Sequence, residues 1–221
     1  MKQSIRRVCI FGAGDYHGER RDLCEGAVVI AADGGYAHAC SAGLTVSLAI
    51  GDFDSLGDIP DSIPVKRYPV EKDDTDMALA VREALALGAD EVILFGGMGG
   101  RLDHTFANIS VLLSLARRGV SAYLVGRECV ITVITAPECL QFPVLSEGIL
   151  SLFSLSEEAT VTLTGLQYSL TRGSLTKAVA LGVSNHFIKE AAEVTLHEGE
   201  VLVMWDATKA PLPTKKRSKS Q

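Results

Sequence analysis

Four short aspartate motifs mark where this chain could do chemistry. They are Ala32-Asp33-Gly34-Gly35, Gly51-Asp52-Phe53-Asp54-Ser55, Asp73-Asp74-Thr75-Asp76 and Gly99-Gly100-Arg101-Leu102-Asp103-His104. Each follows, or lies close to, an apolar run that reads as a strand. Carboxylates gathered at strand ends repel one another, and burying them is costly unless cations neutralise them. Mg²⁺ with a polyphosphate is the expected neutraliser, because a hard cation takes oxygen ligands and shares them with phosphates.

Taken singly, each motif has two readings. Asp52 and Asp54 stand at i and i+2 past the strand Ser47–Ile50 and can grip one cation; the alternative is an acidic turn with Ser55 as a helix cap. Asp73, Asp74, Thr75 and Asp76 precede a helix, and Asp and Thr are preferred caps there. Three carboxylates in four residues exceed what capping needs, so at least one is expected at a metal or phosphate site. Gly96-Gly97-Met98-Gly99-Gly100-Arg101 joins a strand to a helix. Its glycines let backbone N–H groups approach phosphate oxygens, and Arg101 could clamp phosphate with its planar fork. No Gly-Lys-[Ser/Thr] follows, so this is not a Walker A loop. The alternative is a flexible turn with Asp103 as cap.

Gly12-Ala13-Gly14-Asp15-Tyr16-His17-Gly18 imitates a dinucleotide fingerprint, with Asp33 near the place of a ribose-binding acid. Its third glycine comes one place late, and turn geometry or nucleotide contact explains it equally well. The five histidines form no ligand set. His104 is the one placed for function, or it is an exposed first-turn residue. Trp205 ends a late strand and reads as core.

These residues need a scaffold that brings strand ends together. Val8–Phe11, Ala27–Ala32, Val46–Ile50, Val65–Tyr68, Val92–Phe95 and Ala122–Val125 read as strands. Thr75–Leu87 and Thr105–Arg118 have helical spacing, with Gly88 and Gly119 as C-caps. Such alternation predicts a doubly wound, mostly parallel α/β sheet over residues 1–126, whose ligands bind at the carboxyl ends of the strands. Over residues 127–208 the runs are short, β-rich and broken by turns, which predicts a sandwich or a small barrel. Residues 209–221, with Lys215-Lys216-Arg217, read as a flexible basic tail.

Composition narrows the classes. The chain has 221 residues, 47% of them hydrophobic, and a net charge of −6. That supports a real core and argues against nucleic-acid binding, which needs a basic face. The five cysteines (Cys9, Cys24, Cys40, Cys129, Cys139) are scattered without a CxxC pair, as expected for reduced thiols in the cytoplasm. No apolar run approaches the ~18 residues of a membrane span, and the first strand leaves no room for a signal peptide.

In this order the motifs resemble the thiamine pyrophosphokinase family, particularly its bacterial form. Thr164-Gly165-Leu166-Gln167-Tyr168-Ser169-Leu170 and Gly182-Val183-Ser184-Asn185 add two further matches, so the resemblance covers nearly the whole chain. It implies Mg²⁺-dependent transfer of a pyrophosphoryl group from ATP to the hydroxyl of thiamine, with release of AMP. It also implies an α/β catalytic domain, a C-terminal β-sandwich that binds thiamine, and a homodimer whose active sites are shared between subunits.

By matched position, the resemblance makes Asp52, Asp54, Asp73 and Asp76 the metal and phosphate ligands, with Asp74 an alternative to Asp73. It places Asp33, Gly34, Gly97, Gly100, Arg101 and Asp103 along the nucleotide and transfer site. Asp52 and Asp76 would also meet substrate. Asp54, Asp76, Arg101 and Asp103 are the catalytic candidates, and Asp76 or Asp103 could accept the hydroxyl proton. Tyr168 would pack on thiamine where some relatives carry Trp, and Ser184 and Asn185 would frame that pocket. A kinase for another hydroxyl, an NAD-dependent oxidoreductase and a nucleotide sensor are the rival readings.

Overall fold

The computed structural model describes residues 6–18, 20–51, 63–68, 74–206 and 210–217. The chain divides into two compact units, Met1–Arg127 and Glu128–Gln221.

The first unit is built on six parallel strands. They are β1 (Arg7–Phe11), β2 (Val28–Ala32), β3 (Leu48–Gly51), β4 (Val65–Arg67), β5 (Glu91–Phe95) and β6 (Ser121–Val125). Their spatial order is β6-β5-β1-β2-β3-β4. Register aligns the carboxyl ends: Phe11 pairs with both Phe95 and Ala31, Ala32 with Ile50, and Phe95 with Val125. From β1 the chain winds outward to β4, then returns to β5 on the other side of β1. The order therefore reverses between β1 and β5, and a crevice opens at such a switch point.

Val8–Phe11 and Val92–Phe95 are fully buried, as strands covered on both faces must be. Three helices accompany the sheet: α1 (Gly35–Ser41), α2 (Asp76–Ala86) and α3 (Leu102–Arg117). The Thr75 hydroxyl caps α2 by accepting from the Ala78 N–H at 3.2 Å. The cap is thus the threonine, which leaves the neighbouring aspartates free of that task. Helix α2 ends as expected, with Gly88 at φ +75° and its N–H donating to the Leu85 carbonyl. Helix α3 begins three residues earlier than its periodicity predicts. Leu102 and Phe106, one turn apart at its start, lie at the surface, so the buried pattern starts only beyond them.

The second unit holds nine antiparallel strands among its described residues. They are β7 (Val130–Thr135), β8 (Glu138–Val144), β9 (Ile149–Ser154), β10 (Glu158–Thr164), β11 (Leu170–Thr176), β12 (Asn185–His186), β13 (Ala191–Glu198), β14 (Glu200–Trp205) and β15 (Thr214–Arg217). One run of strands is β12-β9-β14-β7, and a separate sheet is β11-β10-β13-β8-β15. Alternate residues point inward, as in Ala192, Val194 and Leu196 of β13. Phe142 of the separate sheet meets Trp205 of β14 edge-on at 5.3 Å.

For residues 214–217 the reading as part of a flexible basic tail is corrected. Thr214–Arg217 forms β15 along the edge of β8. Lys215 turns inward to Glu138 at 3.2 Å, both side chains nearly inaccessible to water. A charge can be buried there because its counter-charge is buried beside it. A run of three cations concealed this, since in a strand only alternate residues share a face.

Candidate active site

A cleft of about 460 Å³ opens at the carboxyl ends of β1, β2 and β5, at the switch point. Two loops form its walls. The loop after β1 donates from the Gly12, Gly14 and Asp15 N–H groups to the carbonyls of Phe95, Gly96 and Met98, at 2.8, 2.8 and 3.1 Å. The two loops are therefore stitched together. Close approach explains the glycines: a Cβ at Gly14 would lie 2.6 Å from the Gly96 carbonyl oxygen. Tyr16 pins the first loop by stacking edge-on against Phe11 and Phe95, with centroids 5.2 and 5.7 Å away. The next element is a single 3-10 turn, Arg21–Cys24. A dinucleotide site needs a helix N-terminus there; Gly12 and Gly14 instead pack the two loops together and line the cleft.

Asp33 lies at the end of β2 and lines the cleft. Its φ of +48° is left-handed, unusual for a residue with a side chain, and its N–H donates to the Ile50 carbonyl at 2.7 Å. Strained backbone at a cleft is a mark of functional positions. Gly34, the residue before α1, stands behind Asp33; a Cβ there would be 3.0 Å from that of Ala13. Asp76 is the first residue of α2 and enters the same cleft. Asp74 also lines it and pairs with Arg82, in the second turn of α2. Asp52, Asp54 and Asp73 lie outside the described residues.

The glycine loop supplies Gly97 and Gly100, both lining the cleft. Gly97 is close-packed on its other side, where a Cβ would meet Leu124 Cδ1 at 2.7 Å. Arg101 lines the cleft with its side chain 72% exposed. It grips Asp103 in a fork, with Nε and Nη2 donating at 3.1 and 2.6 Å. That pairing, helped by the His104 N–H, holds the Asp103 carboxyl below the usual carboxylate range. Asp103 points to Arg101, and the cleft wall includes His104 in its place.

Sequence reasoning passed over Asp15, Met77 and Asn108, all in the cleft wall. The signal for Asn108 was present: it is a polar residue on the stripe that continues with Leu112 and Leu115.

The second unit gathers the later motifs. Asn185 is buried and closes on Tyr168. Its Oδ1 accepts from the Tyr168 N–H at 2.9 Å, and its Nδ2 donates to the Tyr168 carbonyl at 2.7 Å. Ser184 has a left-handed φ of +60°, and its N–H donates to Ser151 Oγ at 3.1 Å. Tyr168 is 62% exposed. Asn185 thus holds the turn that presents an open aromatic face. Replacing it by leucine leaves two backbone groups without partners, at roughly 1–3 kcal/mol. The expected result is a melting temperature several degrees lower; an unchanged value would refute the clamp.

Among the described residues no three His, Cys, Asp or Glu side chains are arranged to hold a metal ion. The cleft carboxylates of Asp15, Asp33, Asp74 and Asp76 are hard oxygen donors, the kind Mg²⁺ takes. No described helix is long and apolar enough to cross a membrane.

Comparison with known proteins places the geometry in a family. The family described as "Thiamin pyrophosphokinase, catalytic domain" matches residues 21–124, and "Thiamin pyrophosphokinase, vitamin B1 binding domain" matches residues 133–201. Thiamine pyrophosphokinase of Bacillus subtilis is 30% identical over 186 residues, covering 81% of this chain and 86% of that protein. The crystal structure of a Bacillus subtilis thiamine pyrophosphokinase superposes with a TM-score of 0.80 at 26% identity, over 91% of this chain and 99% of the other. That from Geobacillus thermodenitrificans gives 0.78 at 31% identity, over 90% and 97%. With both domains matched in order along most of its length, the chain belongs to the thiamine pyrophosphokinase family of enzymes.

Proposed function

We propose that the first unit binds Mg-ATP and transfers its terminal pyrophosphoryl group to the hydroxyl of thiamine, giving thiamine diphosphate and AMP. The observation that carries this reading is the convergence of Asp33, Asp76, Arg101 and the glycine loop on one cleft at the switch point. The second unit is the thiamine-binding part, a sandwich of its two sets of antiparallel strands, with Tyr168 as the aromatic face and Ser184 and Asn185 shaping its turn. The homodimer, with active sites shared between subunits, belongs to the same proposal. So does a cytoplasmic location, which suits five free thiols.

The chemistry is in-line displacement. The thiamine oxygen attacks the β-phosphorus, the bond from that phosphorus to the α-bridging oxygen breaks, and AMP departs with the electron pair. Such reactions are accelerated chiefly by positioning and by neutralising charge. Asp76, with Asp52, Asp54 and Asp73, would hold Mg²⁺, which when bound offsets phosphate charge. Arg101 supplies a second, fixed cation. Asp76 is the better candidate to take the hydroxyl proton, because it lines the cleft while Asp103 is engaged by Arg101.

Chelation tests the reading. Thiamine-dependent AMP release should vanish with excess chelator and return with added Mg²⁺. AMP release that ignores the chelator would contradict it. The cationic thiazolium should sit on Tyr168, an attraction worth ~0.5–2 kcal/mol. Tyr168→Ala should therefore raise the thiamine KM roughly ten-fold and leave the ATP KM alone. Equal thiamine KM values in variant and parent would remove Tyr168 from the pocket.

A further inference from the structure

Asn108 has no part in the chemistry above, yet it is buried and lines the cleft. It stands on the apolar stripe of α3 with Leu112, Leu115 and Ala116. An amide in that setting is unfavourable unless it is hydrogen-bonded. Its partner is the glycine loop: Nδ2 donates to the Gly97 carbonyl at 2.7 Å.

That bond completes a series. Four successive carbonyls, Phe95 to Met98, each accept a hydrogen bond from outside the loop. Three come from backbone N–H groups of the loop after β1. The fourth, at Gly97, comes from Asn108 and is the one made by a side chain. A carbonyl free to swing into the cleft would place a negative dipole against phosphate oxygens. A Cβ on Gly97 would meet Asn108 Nδ2 at 2.9 Å, so the loop and the amide are already in close contact.

We propose that Asn108 is a positioning residue for the polyphosphate of the nucleotide. It ties the Gly97 carbonyl to α3, which keeps that dipole from swinging against the phosphates, and it touches none of the reacting atoms. The inference rests on the reading of this cleft as the ATP site.

The test compares the whole chain with Asn108→Leu, which keeps the volume and loses the donor. Asn108→Asp is nearly identical in shape and, as a carboxylate, sets a second acceptor against the Gly97 carbonyl. It serves if the leucine variant fails to fold. Affinities for Mg-ATP and for adenosine are measured by calorimetry, and the thiamine KM by product formation. The expected result is Mg-ATP binding weaker by roughly ten-fold or more for either variant. Adenosine affinity and the thiamine KM should stay within about two-fold. Unchanged Mg-ATP affinity in a folded variant overturns the inference alone. Equal losses for Mg-ATP and adenosine also overturn it, since they mean general collapse of the cleft. A parent protein that binds no Mg-ATP overturns the nucleotide reading and this inference with it.

Discussion

Asp76→Asn will leave the chain folded and lower turnover by about two to three orders of magnitude, the scale of losing one preorganised charge at a transfer site. The side chain keeps its size. Helix α2 keeps its cap, because Thr75 and not Asp76 accepts the Ala78 N–H. The structural loss is confined to one favourable charge near the helix N-terminus, a few tenths to about 1 kcal/mol. The functional loss is larger, because the carboxylate faces the cleft and serves both metal binding and proton transfer in the proposed reaction. Melting temperature and kcat, measured on the same sample, separate the two effects. A variant with near-parental kcat would remove Asp76 from the chemistry.

Arg101→Ala should lower kcat/KM for Mg-ATP about a hundred-fold with little change in melting temperature, since charge-assisted contacts to phosphate are among the strongest polar interactions. The side chain is mostly exposed, and its fork is spent on Asp103, another exposed group. The fold therefore does not depend on it. Asp103→Asn should cost far less, because its carboxylate orients Arg101 and does not form the cleft wall. The sign of the pH effect follows from its lowered pKa, caused chiefly by the hydrogen bonds from Arg101. The pair is intact above the Asp103 pKa and is lost as pH falls through it. Because that value lies below the ordinary carboxylate range, the fork stays engaged throughout neutral conditions. Steady-state kinetics on both variants decides the ranking. A larger loss in Asp103→Asn than in Arg101→Ala would return Asp103 to the role of proton acceptor.

What could be read before the structure depended on local signals. The parallel strands announced themselves as apolar runs such as Val92–Phe95, and α2 by its period, its Thr75 cap and Gly88. Asp33, Asp76, Gly97, Gly100 and Arg101 were legible because acidic and glycine-rich turns that follow apolar strands stand out in composition. They do line one cleft. Other features depend on contacts between distant segments. The stitching of Gly12–Asp15 to Phe95–Met98 joins residues some eighty apart in sequence, and no local pattern encodes it. The inward turn of Lys215 needed Glu138 as its partner. Asn185 was read as framing the thiamine pocket; that its amide does so by pairing with the Tyr168 backbone, across 17 positions, has no local signature. Helix α1 escaped notice because seven residues are too few to display a period.

The most direct test of the central claim is the stoichiometry of products. Purified protein is incubated with Mg-ATP and thiamine, and AMP and thiamine diphosphate are quantified by chromatography. Pyrophosphoryl transfer predicts equal amounts of both, each absent without thiamine. ADP with thiamine monophosphate, or AMP without thiamine diphosphate, would contradict it.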